Sequence, residues 1–170
     1  MSTNGLGTLC VLIVDDNAHM RALLRSLLES AGIRQIAEAE DGAGALARLK
    51  EREIDLLLTD MVMEPMDGIV FTRTVRTDAG SPNPFVPIIM ITGHTERQRV
   101  VEARDAGVTE FIAKPVNTQG LVSHITAVIA HPRPFVRGGG YFGPDRRRHK
   151  AENYTGPWRR EDDFGEVDVR

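Results

Sequence analysis

Residues 9–16 read LCVLIVDD: six apolar side chains in a row, closed by two aspartates. An apolar run of this length without alternation is the pattern of a strand covered on both faces, as in a parallel sheet. Residues 54–59 (IDLLLT) and 86–91 (VPIIMI) form two further near-continuous runs of this kind. Residues 35–39 and 109–113 are weaker strand candidates and are expected nearer the sheet edges.

The stretches between these runs have helical spacing. Met20, Leu23, Leu24, Leu27, Leu28 and Ala31 recur at three and four residues, and Gly32 follows as a C-terminal stop. A second helix is predicted from about Gly42 to Glu51 with Leu46 and Leu49 inward, and a third from Asp67 to near Ala79. Thr95 and Gln98 read as a capping box that opens a fourth helix ending at Gly107. Asn117 caps the fifth, whose inward stripe is Leu121, Val122, Ile125, Val128 and Ile129. Five strand–helix repeats predict an α/β fold, an open, doubly wound parallel sheet with helices on both faces.

Composition narrows the class. With 41% hydrophobic residues the 170-residue chain can bury a real core, and its length suits one domain plus a tail. The single cysteine, Cys10, excludes an intrachain disulfide framework, which fits a reducing cytoplasm. The first apolar run is short and ends in acid, so neither a signal peptide nor a membrane span is expected. Residues 1–131 carry 12 Lys/Arg against 17 Asp/Glu, a net −5, whereas residues 132–170 carry 9 against 7, a net +2. An acidic body argues against direct nucleic-acid binding by that body.

Ligands of a doubly wound sheet bind beyond the carboxyl ends of the strands. Asp15 and Asp16 follow the first predicted strand, Asp60 ends the third, Thr92 and Gly93 follow the fourth, and Lys114–Pro115 follows the fifth. Three carboxylates brought together repel one another unless a cation lies among them. A hard, oxygen-preferring dication such as Mg²⁺ resolves that repulsion. One carboxylate can then attack a phosphoryl group, while Lys114 and the Thr92 hydroxyl offset charge on its oxygens. Singly, each residue has an ordinary alternative: the Asp pair as a helix cap, Asp60 as a loop carboxylate, Thr92 as a cap and Lys114–Pro115 as a turn.

Taken together, Asp15–Asp16, Asp60 followed by Met66–Asp67–Gly68, Thr92–Gly93 and Lys114–Pro115 resemble the receiver domain of bacterial two-component response regulators, over roughly residues 8–131. The resemblance implies a flavodoxin-like (βα)5 fold with strand order 2-1-3-4-5, not an enzyme turning over an external substrate. It makes Asp60 the phosphoacceptor and Asp16 a direct Mg²⁺ ligand, with Asp15 acting through water and the Val62 carbonyl completing the shell. Thr92 and Lys114 would hold the phosphoryl group, and Thr92 and Phe111 would be the switch positions. The implied partners are a sensor histidine kinase or histidine phosphotransfer protein and an output protein, with a homo-oligomeric contact left open. Two departures stand out. Glu64 occupies the place of a common proline, with Pro65 following, and Phe111 replaces a common tyrosine. Val62 and His94 flank the water's approach by the same resemblance, and Val62 cannot orient a water.

After Ala130 the composition changes, and residues 132–170 are read as a separate Gly/Pro/Arg-rich tail, expected to be irregular and largely disordered. It holds a short motif twice at an offset of 13 positions. The first copy includes Tyr141, Gly143, Pro144, Arg146 and Arg147; the second includes Tyr154, Gly156, Pro157, Arg159 and Arg160. The two copies read as docking motifs whose removal, from residue 136 on, would leave phosphorylation intact. Three functions follow as expectations: a phosphorylation switch acting by protein contact, a phosphorelay intermediate, and a nucleic-acid-binding regulator working through the tail arginines. Acidic residues interleaved with those arginines weigh against the third.

Overall fold

The computed structural model describes residues 3–93, 96–146 and 166–167. A short 3-10 helix, Thr3–Thr8, leads into β1 (Cys10–Val14), α1 (Ala18–Ser30), β2 (Gln35–Ala39), α2 (Gly42–Glu51) and β3 (Leu56–Asp60). There follow α3 (Gly68–Thr77), β4 (Ile88–Thr92), α4 (Arg97–Ala106), β5 (Glu110–Ala113) and α5 (Thr118–Ala130). The five strands form one parallel sheet in the order β2-β1-β3-β4-β5, the predicted doubly wound arrangement.

The unbroken apolar runs are explained by burial on both faces. Alternate residues of β1, β3 and β4 point opposite ways. Val11, Ile13, Leu56, Leu58, Ile89 and Ile91 pack with Leu24 and Leu28 of α1 and with Leu121, Ile125 and Val128 of α5. On the other face Leu12, Val14, Leu57 and Ile88 meet Ala45 and Leu49 of α2 and Phe71 and Val75 of α3. A third cluster, Met61, Ile69, Met90, Ala103, Ala106 and Val108 with Phe111 against it, seats α4.

Local signals place most helix ends. Asn117 Oδ1 accepts from Gly120 N at 2.8 Å, and Asp67 Oδ1 accepts from Val70 N at the start of α3. Two readings shift. Leu23 lies 44% exposed, so the inward stripe of α1 is narrower than its apolar spacing suggested. The residue at the N-cap of α4 is Glu96, which makes no side-chain cap bond, while Thr95 lies outside the described residues.

The described start of the tail differs more from the irregular segment expected, while residues 147–165 and 168–170 lie outside the described residues. Residues 135–144 are ordered: β6 (Phe135–Gly138) and β7 (Tyr141–Pro144) pair as an antiparallel hairpin, and β8 (Glu166–Val167) adds to β6. Gly139 and Gly140 have φ of 54° and 78°, the left-handed conformation that a two-residue hairpin turn requires. The hairpin has no core of its own and contributes to one on the body. Phe135 and Phe142 are buried, and each ring lies 5.2 Å from that of Phe85, in the connection before β4. Beneath them the buried Arg76 guanidinium of α3 donates to the carbonyls of Gly107, Pro84 and Val86 and lies 5.0 Å from the Phe135 ring. Burial pulls its pKa down to about 9.

The packed unit therefore extends past residue 131 to at least Pro144, because these two phenylalanines are buried against Phe85, Arg76 and each other. Truncation from residue 136 would expose that cluster. Phe142→Ala is expected to destabilise the chain by about 3 kcal/mol, the usual scale for emptying a buried aromatic position. Urea denaturation measures this, and an unchanged midpoint would mean that the hairpin does not pack on the body in solution.

Candidate functional site

At the C-terminal edge of the sheet, the strand register brings the polar residues together. Val14 pairs with Thr59, Asp60 with Ile91, and Thr92 with Ala113. The next residues along β1 and β5, namely Asp15, Asp16 and Lys114, therefore emerge on the same edge as Asp60 and Thr92. Asp15, Asp60 and Thr92 are buried, whereas Asp16 is exposed.

The aspartate pair does not cap α1. Asn17 does, its Oδ1 accepting from His19 N at 2.9 Å and Met20 N at 3.3 Å. Asn17 also fixes Asp15, because its backbone N–H donates to Asp15 Oδ1 at 2.8 Å. Asp16 Oδ2 accepts from Glu64 N at 3.2 Å, so the residue in the unusual loop position braces one of the carboxylates. The Glu64–Pro65 and Lys114–Pro115 bonds are both cis.

Carboxylate oxygens of Asp15, Asp16 and Asp60 lie within 4.8 Å of one another. Burial is the main cause that raises the Asp15 pKa, with the charges of Asp60 and Asp16 adding to it, while the Asn17 N–H and Lys114 oppose it. Lys114 Nζ donates to Asp60 Oδ1 at 3.0 Å. Thr92 Oγ1 lies 3.6 Å from Met61 Sδ, next to Asp60 in the chain. An oxygen-only donor set that repels itself fits a hard divalent cation.

Gly68 is a steric requirement of this edge. A Cβ there would fall 2.0 Å from the Asp60 carbonyl oxygen, and Gly68 N donates to Met61 O at 2.8 Å. Helix α3 can thus start directly against the end of β3 only if that position is glycine, which gives the Asp67–Gly68 pair its physical meaning. Asp67 is tied in turn to Arg99 of α4 at 3.2 Å.

A family model for the response regulator receiver domain matches residues 11–126. The chain belongs to that family. Over 118 residues this receiver is 37% identical to chemotaxis protein CheY of Pseudomonas aeruginosa, covering 69% of this chain and 94% of the relative. It is 38% identical over 105 residues to CheY-3 of Vibrio cholerae, covering 62% and 79%. The crystal structure of Vibrio cholerae CheY4 at low pH aligns with a TM-score of 0.65 and 32% identity, over 71% of this chain and 98% of that one.

The remaining predicted positions fall in three places. Val62 is in the loop after β3 with its side chain 47% exposed, and Phe111 is half-buried against Met61, Met90 and Ala103. Tyr141, Gly143, Pro144 and Arg146 belong to the hairpin segment beside the C-terminal end of α4, apart from the acidic edge. His94, Arg147, Tyr154, Gly156, Pro157, Arg159 and Arg160 lie outside the described residues. Sequence reading missed Asn17, although an Asx residue just before an apolar periodic stretch is an ordinary N-cap signal. It also missed Arg76, which looks like any arginine on a helix until its surroundings are known.

The raised Asp15 pKa has a defined sign. The folded chain holds this proton more tightly than the unfolded chain does, so stability is gained as pH falls through the raised value; above it, the buried charge is a cost. In metal-free buffer at neutral pH, Asp15→Asn keeps the Oδ1 acceptor for Asn17 and is expected to raise Tm. The gain should shrink as pH is lowered toward the ordinary carboxylate range. A thermal-melt series over pH checks it, and a lower Tm for the variant at neutral pH would contradict the cost of burying this charge beside Asp60 and Asp16.

Proposed function

We propose that this receiver is a phosphorylation switch in which Asp60 takes the phosphoryl group. The observation that carries the reading is the direct Lys114–Asp60 contact at 3.0 Å beside the Asp15–Asp16 pair. A carboxylate oxygen of Asp60 attacks phosphorus of a phosphohistidine on a sensor kinase or phosphotransfer protein. The P–N bond breaks, the histidine nitrogen leaves with its electron pair, and an acyl phosphate forms on Asp60. Lys114 pairs with the phosphoryl oxygens, and the Thr92 hydroxyl donates to one of them. Asp15, Asp16, Asp60 and the Val62 carbonyl would hold Mg²⁺, which supplies charge neutralisation for the transferring group.

The chain acts by changing its surface for an output protein, with Thr92 and Phe111 at the start of that change, and not by turning over an external substrate. Among the described residues no helix is long and apolar enough to cross a membrane. With the single, buried Cys10, this supports a cytoplasmic setting. A phosphorelay role is the second reading, and rapid return of the phosphoryl group to a phosphotransfer protein would favour it.

Labelling with acetyl phosphate should require Mg²⁺ and be lost in Asp60→Asn, whose amide is a far poorer nucleophile. Hydroxylamine-sensitive label persisting on the variant would move the acceptor elsewhere. The lifetime of the phospho-form gives a separate test of the loop. Val62, exposed and apolar, cannot place a water, so Val62→Asn should shorten that lifetime severalfold in a phosphate-release assay. Unchanged decay would exclude a role for this position.

A further inference from the structure

Besides covering Phe85 and Arg76, hairpin β6–β7 meets the C-terminal end of α4. Gly107 follows that helix with φ of 107°, and a Cβ there would meet Arg76 Cγ at 2.9 Å and the Phe142 carbonyl at 3.1 Å. Gly143 is equally confined, since its Cβ would fall 2.9 Å from Gly107 Cα. Two glycines back to back thus let strand β7 lie against the helix end. Arg146 Nη1 pairs with Asp105 of α4 at 3.0 Å, and its guanidinium lies 3.7 Å from the centre of the Tyr141 ring. The Tyr141 hydroxyl donates to the Pro144 carbonyl at 2.7 Å and closes the turn. The tyrosine, glycine, proline and first arginine of the motif therefore each have a structural task in this contact.

Helix α4 lies against α3, where Arg99 pairs with Asp67, but it buries only small side chains. Its buried residues are Ala103 and Ala106, and its N-cap makes no side-chain bond. By contrast, α3 buries Ile69, Phe71 and Val75, and α5 buries Leu121, Ile125 and Val128. The two alanines rest on Met61 and Met90, and Met61 is the neighbour of Asp60 and the residue that Thr92 Oγ1 faces. One end of the α4 contact thus reaches the acidic site, and the other is held by the hairpin.

We propose that hairpin β6–β7 is a built-in clamp that holds α4 in its unphosphorylated position and is released when Asp60 is phosphorylated. This rests on Asp60 as the acceptor. A phosphoryl group on Asp60 has to enter the 3.0 Å gap to Lys114 and draws the Thr92 hydroxyl away from Met61. The Met61 side chain then repacks under Ala103 and Ala106. The clamp fits α4 at one register only, because Gly107 and Gly143 leave no slack, so it binds the unphosphorylated arrangement more tightly. By linkage the clamp also opposes phosphorylation by the same factor.

Hydrogen exchange on the full chain with Mg²⁺, with and without beryllofluoride, tests the clamp. A two-stranded hairpin is marginal once undocked, so amides of residues 136–145 should exchange about fivefold faster or more in the beryllofluoride form. Asp105→Ala and Arg146→Ala, which remove the ion pair between hairpin and helix and leave the phenylalanine cluster intact, should each tighten beryllofluoride binding severalfold. Hairpin exchange that is unchanged or slower while beryllofluoride is bound overturns the clamp, as does unaltered affinity in both variants. Failure of the wild-type chain to bind beryllofluoride, or binding that survives Asp60→Asn, overturns instead the assignment of Asp60 on which the clamp rests.

Discussion

Asp60 ends a strand whose two faces are both covered, so its carboxylate is buried at a fixed point beside two more carboxylates. At such separations like charges cost free energy that solvent only partly screens. The direct bond from Lys114 offsets part of that cost, and a hard cation would offset more. Much of the surrounding structure serves to keep this unfavourable group of charges in place. The parallel register sets the height of each strand end, Asn17 and Glu64 hold Asp15 and Asp16 by backbone N–H groups, and glycine at position 68 lets α3 begin against β3. A site that is costly when empty responds strongly to a ligand that relieves the repulsion.

The opposite end of the sheet follows another rule. There the buried charge is Arg76, whose guanidinium ties the connection before β4 to the end of α4 through three carbonyls. Phe85 would leave a wide apolar surface beside it if nothing covered that side. Phe135 and Phe142 cover it, and the chain between α5 and β6, residues 131–134, carries them across from the α5 face. Arg133 pairs with Glu110 at 3.6 Å along that path. The hairpin is thus a cover over the ends of α3 and α4.

Most of the architecture and the acidic site were legible in the sequence because they rest on local and periodic signals. Apolar runs without alternation define central parallel strands, and polar residues at the ends of those runs mark the ligand edge. Residues 135–144 differ from the irregular segment expected there, for an identifiable reason. The tail's Gly/Pro/Arg composition argues against a self-sufficient core, but order can also come from a core shared with the body, as it does for residues 135–144. The signal was present: residues 138–140 are Gly–Gly–Gly between two short runs that each contain a phenylalanine, a hairpin pattern.

The sequence alone therefore determined what depends on spacing along one chain: the five repeats, the covered strands, and the membership of Asp15, Asp16, Asp60, Thr92 and Lys114 in one edge. Tertiary structure alone decided which surfaces became complementary across long separations. Nothing near Arg76 in sequence says that its guanidinium is buried under Phe135, and nothing near Gly107 says that Gly143 rests on it. Burial and close approach are properties of pairs brought together by the completed fold, so residues 31 to 59 positions apart acquire their roles only once the sheet has set the distances between them.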